Sequence, residues 1–244
     1  MRALSSRHPR FGYRRIAALL RAEGFEVNSK RVQRLWRLEG LAVPRRQRKR
    51  RRLGDAAAGC ARLVAAARND VWSMDFVADR TSDGRALRIL VVLDEHTRLC
   101  VAVFAARSIV GGDALQALVA AMRRYGVPRH VRCDNGPEFV GRTLREGLAA
   151  LGVGTLYIEP GSPWQNGHVE SLNGRLRDEL LRREDFDTLK EAAALLEQWR
   201  VEYNTRRPHS ALGYLTPAAF AARAGAGSAP LRRLPRRLVN RTAG

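Results

Sequence analysis

Three acidic residues stand where the chain gives an acid little structural reason to be. Asp75 falls within Trp72-Ser73-Met74-Asp75-Phe76-Val77, which reads as a strand, and Asp is disfavoured inside strands. A carboxylate flanked by Met74 and Phe76 must face a group that compensates its charge. Asp134 directly follows the short apolar run His130-Val131-Arg132-Cys133, and Asn135-Gly136-Pro137 then turns the chain away. That places it at the carboxyl end of a strand, where sites in open sheets gather. Glu170 lies on a predicted helix beginning near Asn166, and positions 166, 170, 173 and 177 share one helical face. Asn166, Glu170, Asn173 and Arg177 therefore form a row of one acid, two amides and one base. Hard divalent cations such as Mg²⁺ are held by one or two carboxylates each plus substrate phosphate. Two such ions about 3.5–4 Å apart can activate an attacking oxygen and stabilise a leaving one. Three carboxylates converging from two strands and a helix can hold that pair, with Arg177 meeting a phosphate along the helix.

The elements that must position them can be read from periodicity. Strands are predicted over 72–77, 87–93, 99–104, 130–133 and 155–158, with helices over 113–125, 144–151, 166–181 and 189–203. Asp83-Gly84 and the polar stretch from Asp94 to Arg98 supply the turns between the first three strands. An antiparallel meander followed by alternating strands and helices implies an α/β fold, a mixed five-stranded sheet with helices on both faces.

Upstream, Ile16, Leu19 and Leu20 keep helical spacing after Pro9, and Gly24 breaks the pattern. Asn28-Ser29 offers an N-cap for a second helix carrying Val32, Leu35, Trp36 and Leu38, which Gly40 ends. Arg14, Arg15, Lys30, Arg31, Arg34 and Arg37 fall on the exposed faces of this pair. The region reads as helix-turn-helix-like, with those residues expected at DNA. The run Arg45 to Arg52 is too densely charged to fold and reads as an extended basic linker. The boundaries are then 1–44 for the DNA-binding region, 45–68 for the linker, 69–224 for the α/β core and 225–244 for a basic, poorly ordered tail.

Charge narrows the partner. Lys and Arg number 44 against 24 Asp and Glu, a formal net charge of +20 over 244 residues. Such a surface attracts polyanions, and nucleic acid is the commonest of these because neutralised phosphates release counterions. The alternative polyanion is a membrane surface. No apolar run approaches the ~20 residues of a spanning helix, and the N-terminus lacks a signal-peptide core. The expectation is a cytoplasmic, nucleoid-associated protein. Cys60, Cys100 and Cys133 are odd in number and lack zinc-finger spacing, so reduced thiols are expected.

The motifs around the acids resemble a known family. Arg132 to Phe139 (RCDNGPEF) and Pro160 to Gly174 (PGSPWQNGHVESLNG) are similar to the core of the integrase superfamily. Between Asp134 and Glu170 lie 35 residues (170 − 134 − 1), the spacing that names the D,D-35-E group. Arg177 matches the basic residue seven positions after its glutamate. Tyr203 to Pro217 and His8 to Ile16 resemble the terminal signatures of the second-frame transposase of IS3-family insertion sequences. The likeness runs over most of residues 8–222.

That resemblance implies an RNase H-like core and a DDE-type polynucleotidyl transferase. It implies two Mg²⁺ or Mn²⁺ ions held by Asp75, Asp134 and Glu170, 3′-end nicking by water, and attack of the 3′-OH on a second phosphodiester. Arg177 then contacts DNA, and Asn166 and Asn173 on the same face are expected there too. Asp79, Asp83, Asp94 and Glu138 fall outside the triad pattern, with Glu138 expected to cap or support Asp134. The implied partners are terminal-repeat and target DNA and further copies of the chain. Little sequence precedes His8, so a first-frame protein is expected to supply recognition of the element ends. The competing reading is a catalytically inactive copy that only binds DNA. A retroviral-type integrase is disfavoured because no paired cysteines stand near the N-terminus.

Overall fold

The computed structural model describes residues 1–41, 43, 63–136, 141–159 and 163–225. Among them the chain forms two compact units. One comprises the N-terminal segment through Val64 with Pro208–Tyr214, the other Ala65–Arg207 with the chain from Leu215. Most of the basic linker, Glu138 and the tail expected over 225–244 lie outside the described residues.

The smaller unit holds three helices, α1 (Arg2–Arg7), α2 (Tyr13–Ala22) and α3 (Ser29–Leu38). The sequence pattern showed two, because α1 is a short helix with one buried residue, Ser5, and no apolar stripe. Gly24, at φ +88°, adopts the left-handed backbone that turns α2 toward α3. The Oδ1 of Asn28 caps α3 by accepting from Arg31 N at 2.7 Å. Phe11, Ile16, Ala17, Leu20, Val32 and Trp36 make the core. Leu35 and Leu38, expected on the apolar face, are 36% and 77% exposed. Only Val32 and Trp36, one turn apart, reach the core from α3.

The larger unit is built on one sheet of β1 (Val71–Arg80), β2 (Ala86–Asp94), β3 (Cys100–Ala106), β4 (His130–Cys133) and β5 (Gly154–Tyr157), in the order β3-β2-β1-β4-β5. The first three strands pair antiparallel, while β4 and β5 join parallel to β1. Helices α4 (Gly111–Tyr125) and α5 (Arg142–Ala150) connect β3 to β4 and β4 to β5. After β5 come a 3₁₀ turn (Pro163–Asn166), α6 (Gly167–Leu176), a π-helical turn (Arg177–Leu181), α7 (Leu189–Thr205), a second 3₁₀ turn (Ser210–Leu212) and α8 (Pro217–Gly225).

The continuous apolar run of β2 is explained by burial on both faces. Leu90 and Val92 point with Met74 and Val131 into a core closed by α4, α5 and α8. Ile89, Val91 and Leu93 point with Val77 into a second core closed by α6 and α7. All five residues from Ile89 to Leu93 are at most 1% exposed. Burial of each such side chain contributes about 1.5–3 kcal/mol. Trp199 and Tyr203 pack within the second core with ring centroids 5.2 Å apart and planes tilted by 33°. Among the described residues, no helix is long and apolar enough to cross a membrane.

Candidate active site

Strand register brings the first two acids side by side. In the parallel pair β1–β4, Ser73 stands opposite Arg132. Asp75 and Asp134 each follow two residues on, so both lie at the same level on neighbouring chains about 5 Å apart. Period two puts Asp75 on the face of Ser73 and Val77, which is the face covered by α6. Asp134 sits one residue past the end of β4, where its Oδ1 accepts from Gly136 N at 3.0 Å.

Glu170 is carried by α6, the helix that covers that face of the sheet. It is exposed, in the first turn of α6, where the partial positive charge of a helix N-terminus favours a carboxylate. One turn later Asn173, 1% exposed, donates from Nδ2 to Asp75 Oδ2 at 2.7 Å. Phe76 N donates to Asp75 Oδ1 at 2.8 Å. These bonds are the compensation that a mid-strand Asp requires. They are incomplete: burial pushes the Asp75 carboxyl above its ordinary range, and the charges of Asp134 and Glu170 push it further up against the two hydrogen bonds. Asp75 thus feels the charges of both other acids. Among the described residues, no group of three His, Cys, Asp or Glu side chains is drawn together tightly enough to hold a metal ion.

The expected row on the helix face divides in two. Glu170 and Arg177 are exposed, whereas Asn166 and Asn173 are 3% and 1% exposed. Asn166 Nδ2 donates to Met74 O at 3.4 Å. Both amides therefore brace β1 from within instead of lying on the surface open to DNA. The helix also changes character where the pattern predicted regularity to 181. From Arg177 the backbone makes a π turn, with Arg182 N bonded to Arg177 O at 3.0 Å. Arg177 N still bonds to Asn173 O, so Arg177 keeps its place seven residues beyond Glu170, and the phase shifts only after it.

Several contributors were not singled out as site residues by the sequence. Arg132 and Glu95 form an ion pair at 2.5 Å with side chains 4% and 2% exposed. Arg207 grips both carboxylate oxygens of Glu179, on the π turn, at 2.6–3.1 Å. The available signal for Arg132 was an arginine inside a four-residue strand, which must find a buried partner. Cys133, beside Asp134, is buried and its thiol is pushed up to about 12 by desolvation first and by the Asp134 charge second, so it stays protonated. Asp94 is taken up by a turn, accepting from Asn69 N and Thr97 N at 2.7 Å each.

In the smaller unit, Arg14, Lys30, Arg31, Arg34 and Arg37 are exposed. Arg15 is half-buried, with its guanidinium over the Phe11 ring. Lys30, Gln33, Arg34, Arg37 and Leu38 line an open groove of about 380 Å³ along α3.

Comparison with known proteins identifies the family of the chain. The integrase core domain matches residues 65–163 and, in a second part, 151–217; an HTH-like domain matches residues 1–50. An uncharacterized 31.7 kDa protein of insertion element IS407 from Burkholderia multivorans is 44% identical over 220 residues, spanning 90% of this chain and 78% of that protein. The transposase of IS904 from Lactococcus lactis is 28% identical over 223 residues, 86% of this chain and 87% of that one. The chain belongs to the integrase-core transposases of insertion sequences. This transposase is also 40% identical over 220 residues to an uncharacterized 39.2 kDa protein of IS476 from Xanthomonas euvesicatoria, covering 90% of its own length and 62% of that longer chain. A chain of the simian T-cell lymphotropic virus intasome superposes with a TM-score of 0.57 at 18% identity, over 70% of the transposase and 59% of that chain. The HTLV-2 integrase catalytic core, solved with magnesium, superposes with a TM-score of 0.52 at 18% identity, over 64% and 98%. These likenesses show that the larger unit has the RNase H-like fold.

Proposed function

We propose that the transposase nicks the 3′ ends of its element and joins them to target DNA, with Asp75, Asp134 and Glu170 as the catalytic and metal-binding residues. The observation that carries this is the convergence at Asp75. Two acids stand level on adjacent parallel strands, and the third sits one turn from the asparagine that holds the first.

The donors suit two Mg²⁺ or Mn²⁺ ions. All are hard carboxylate oxygens, and a cation would offset both the burial and the neighbouring charges that raise Asp75. When bound, such ions lower the pKa of an attacking water or 3′-OH and stabilise the leaving oxygen. The protein's share is orientation. Asn173 and Phe76 N fix the rotamer of Asp75, leaving its charge directed at the site. Cys133 and Val131 seal the sheet behind Asp134. Arg177, exposed two turns beyond Glu170, meets a phosphate of the terminal strand. Lys30, Arg31 and Arg34 on α3, with Arg14 and Arg15 on α2, supply backbone contacts in the smaller unit. Two ends must be joined in one event, so the working form is a multimer on DNA, and a first-frame protein is the candidate partner for end recognition. Residues 1–44, 45–68 and 69–224 serve as DNA-binding region, linker and catalytic core.

The test is nicking and strand transfer on duplexes carrying the element's terminal repeats with MgCl₂, wild type against Glu170→Gln. Loss of one ligand is expected to lower the rate at least a hundredfold, about 2.7 kcal/mol or more of transition-state stabilisation. Equal rates overturn the triad assignment. Binding of the ends without metal-dependent nicking by the wild type marks a protein that only binds DNA.

A further inference from the structure

We propose that the buried Glu95–Arg132 pair is the positioning device of the carboxylate site, holding the strand of Asp134 and the lead-in to the helix of Glu170 in register. This rests on the metal-dependent reading above. Arg132 stands two residues before Asp134 and on its face of the sheet. Its Nη1 donates to Glu95 Oε1 at 2.5 Å and reaches the carbonyl of Gln165 at 3.5 Å. Gln165 lies in the 3₁₀ turn that runs directly into α6, five residues before Glu170. Its own Oε1 accepts from Glu159 N at 3.1 Å, tying the chain beyond β5 to the same point. Glu95 is anchored in turn, its N donating to Val71 O at 3.0 Å at the first residue of β1, the strand that carries Asp75.

One guanidinium thus joins the starts or ends of all three elements that deliver an acid. A pair so fully buried is a poor device for stability alone, since an apolar pair of similar volume is commonly as stable or more so. An arginine, with five donors in a rigid fork, can serve Glu95 and a backbone carbonyl together. Glu95 and Arg132 point away from solvent and are positioning residues. They stand to the ligands as outer partners whose loss lowers metal affinity or activity 10–100-fold in well-studied sites.

The experiment titrates MnCl₂ and MgCl₂ against the full 244-residue chain without DNA, reading the metal-induced rise in thermal midpoint. The double variant Glu95→Leu/Arg132→Met is expected to melt within a few degrees of wild type without metal. It should need at least tenfold more metal for half of the rise. Gln165→Leu, which keeps the ion pair and cuts the link to Glu159, should shift the requirement the same way by at least threefold. If the double variant does not fold, Arg132→Lys, which keeps the charge but loses the rigid fork that serves both Glu95 and the Gln165 carbonyl, decides with the same tenfold expectation. Unchanged metal requirement in the folded variants, whatever their melting temperature, overturns the positioning role and leaves the metal reading standing. A wild type with no metal response removes the metal reading, and this proposal with it.

Discussion

Asp75→Asn separates the electrostatic cost of the site from its use. In the wild type the Asp75 carboxyl is raised by burial and then by Asp134 and Glu170. The folded state therefore holds its proton more tightly than the unfolded state, whose Asp titrates near 3.9. The sign follows from linkage. The group's favourable contribution is complete below the unfolded value and is lost as pH rises through the raised folded value. Above the raised folded value the charge of Asp75 is a net burden on the metal-free fold. Asn keeps the shape and can still present Oδ1 to one of the two donors, Phe76 N or the Nδ2 of Asn173. Removing the charge should then stabilise the metal-free protein by about 0.5–2 kcal/mol, the usual scale of a stability–activity trade-off. For a unit of this size that is roughly 2–4 °C per kcal/mol.

The assay is thermal unfolding with a chelator present, wild type and variant together, from about pH 4 upward. The difference in midpoint should be near zero at the acid end, widen with pH, and level off above the folded pKa. Adding MnCl₂ at ten times its Kd should then favour the wild type by about 1.4 kcal/mol and the variant by much less, narrowing or reversing the order. A gap independent of pH refutes the electrostatic account of Asp75. An Asn variant less stable at pH 7 without metal refutes it as well.

Glu170→Gln should abolish nicking yet leave metal-free stability within about 0.5 kcal/mol, because the side chain is exposed; urea unfolding checks this. Glu179→Ala removes the carboxylate that Arg207 holds through Nε and Nη2 and should cost about 3 kcal/mol by urea unfolding; with Glu179 kept, Arg207→Lys should also destabilise, because the two-oxygen grip is lost. Lys30→Ala with Arg34→Ala should weaken DNA binding across sequences alike and reduce the slope of log K against log salt by about 2, read by fluorescence anisotropy; a change confined to one sequence points instead to base readout.

The sheet was legible because its strands carry their burial in their pattern. A five-residue apolar run admits little besides a strand covered on both sides, and the order of strands and helices then limits the topology. The acids were legible only together, through the spacing of Asp134 and Glu170. Partners were the weak point. Helical periodicity groups Asn166, Glu170, Asn173 and Arg177, but it cannot say which edge of that face meets the sheet. The two amides turned inward and the two charged residues outward. The pairing of Arg132 with Glu95 spans 37 positions, and no local rule relates residues so far apart. In α3 the pattern overcounted the core, since a ten-residue helix lying against one neighbour buries a narrow stripe.

The three acids are not held alike, and that asymmetry bears on how the site can act. Asp75 is fixed within a strand paired on both sides and by two hydrogen bonds. Asp134 has left the ladder by one residue. Glu170 is exposed on the first turn of α6. Burial first, and then the charges of Asp134 and Glu170, raise Asp75. In the proposed reading Asp75, Asp134 and Glu170 would hold the cations, whose charge would offset that repulsion, and the phase of α6 would set where Glu170 stands. The buried amides and the ion pair are therefore where conservative substitutions outside the three acids should lower the rate with least harm to binding of DNA.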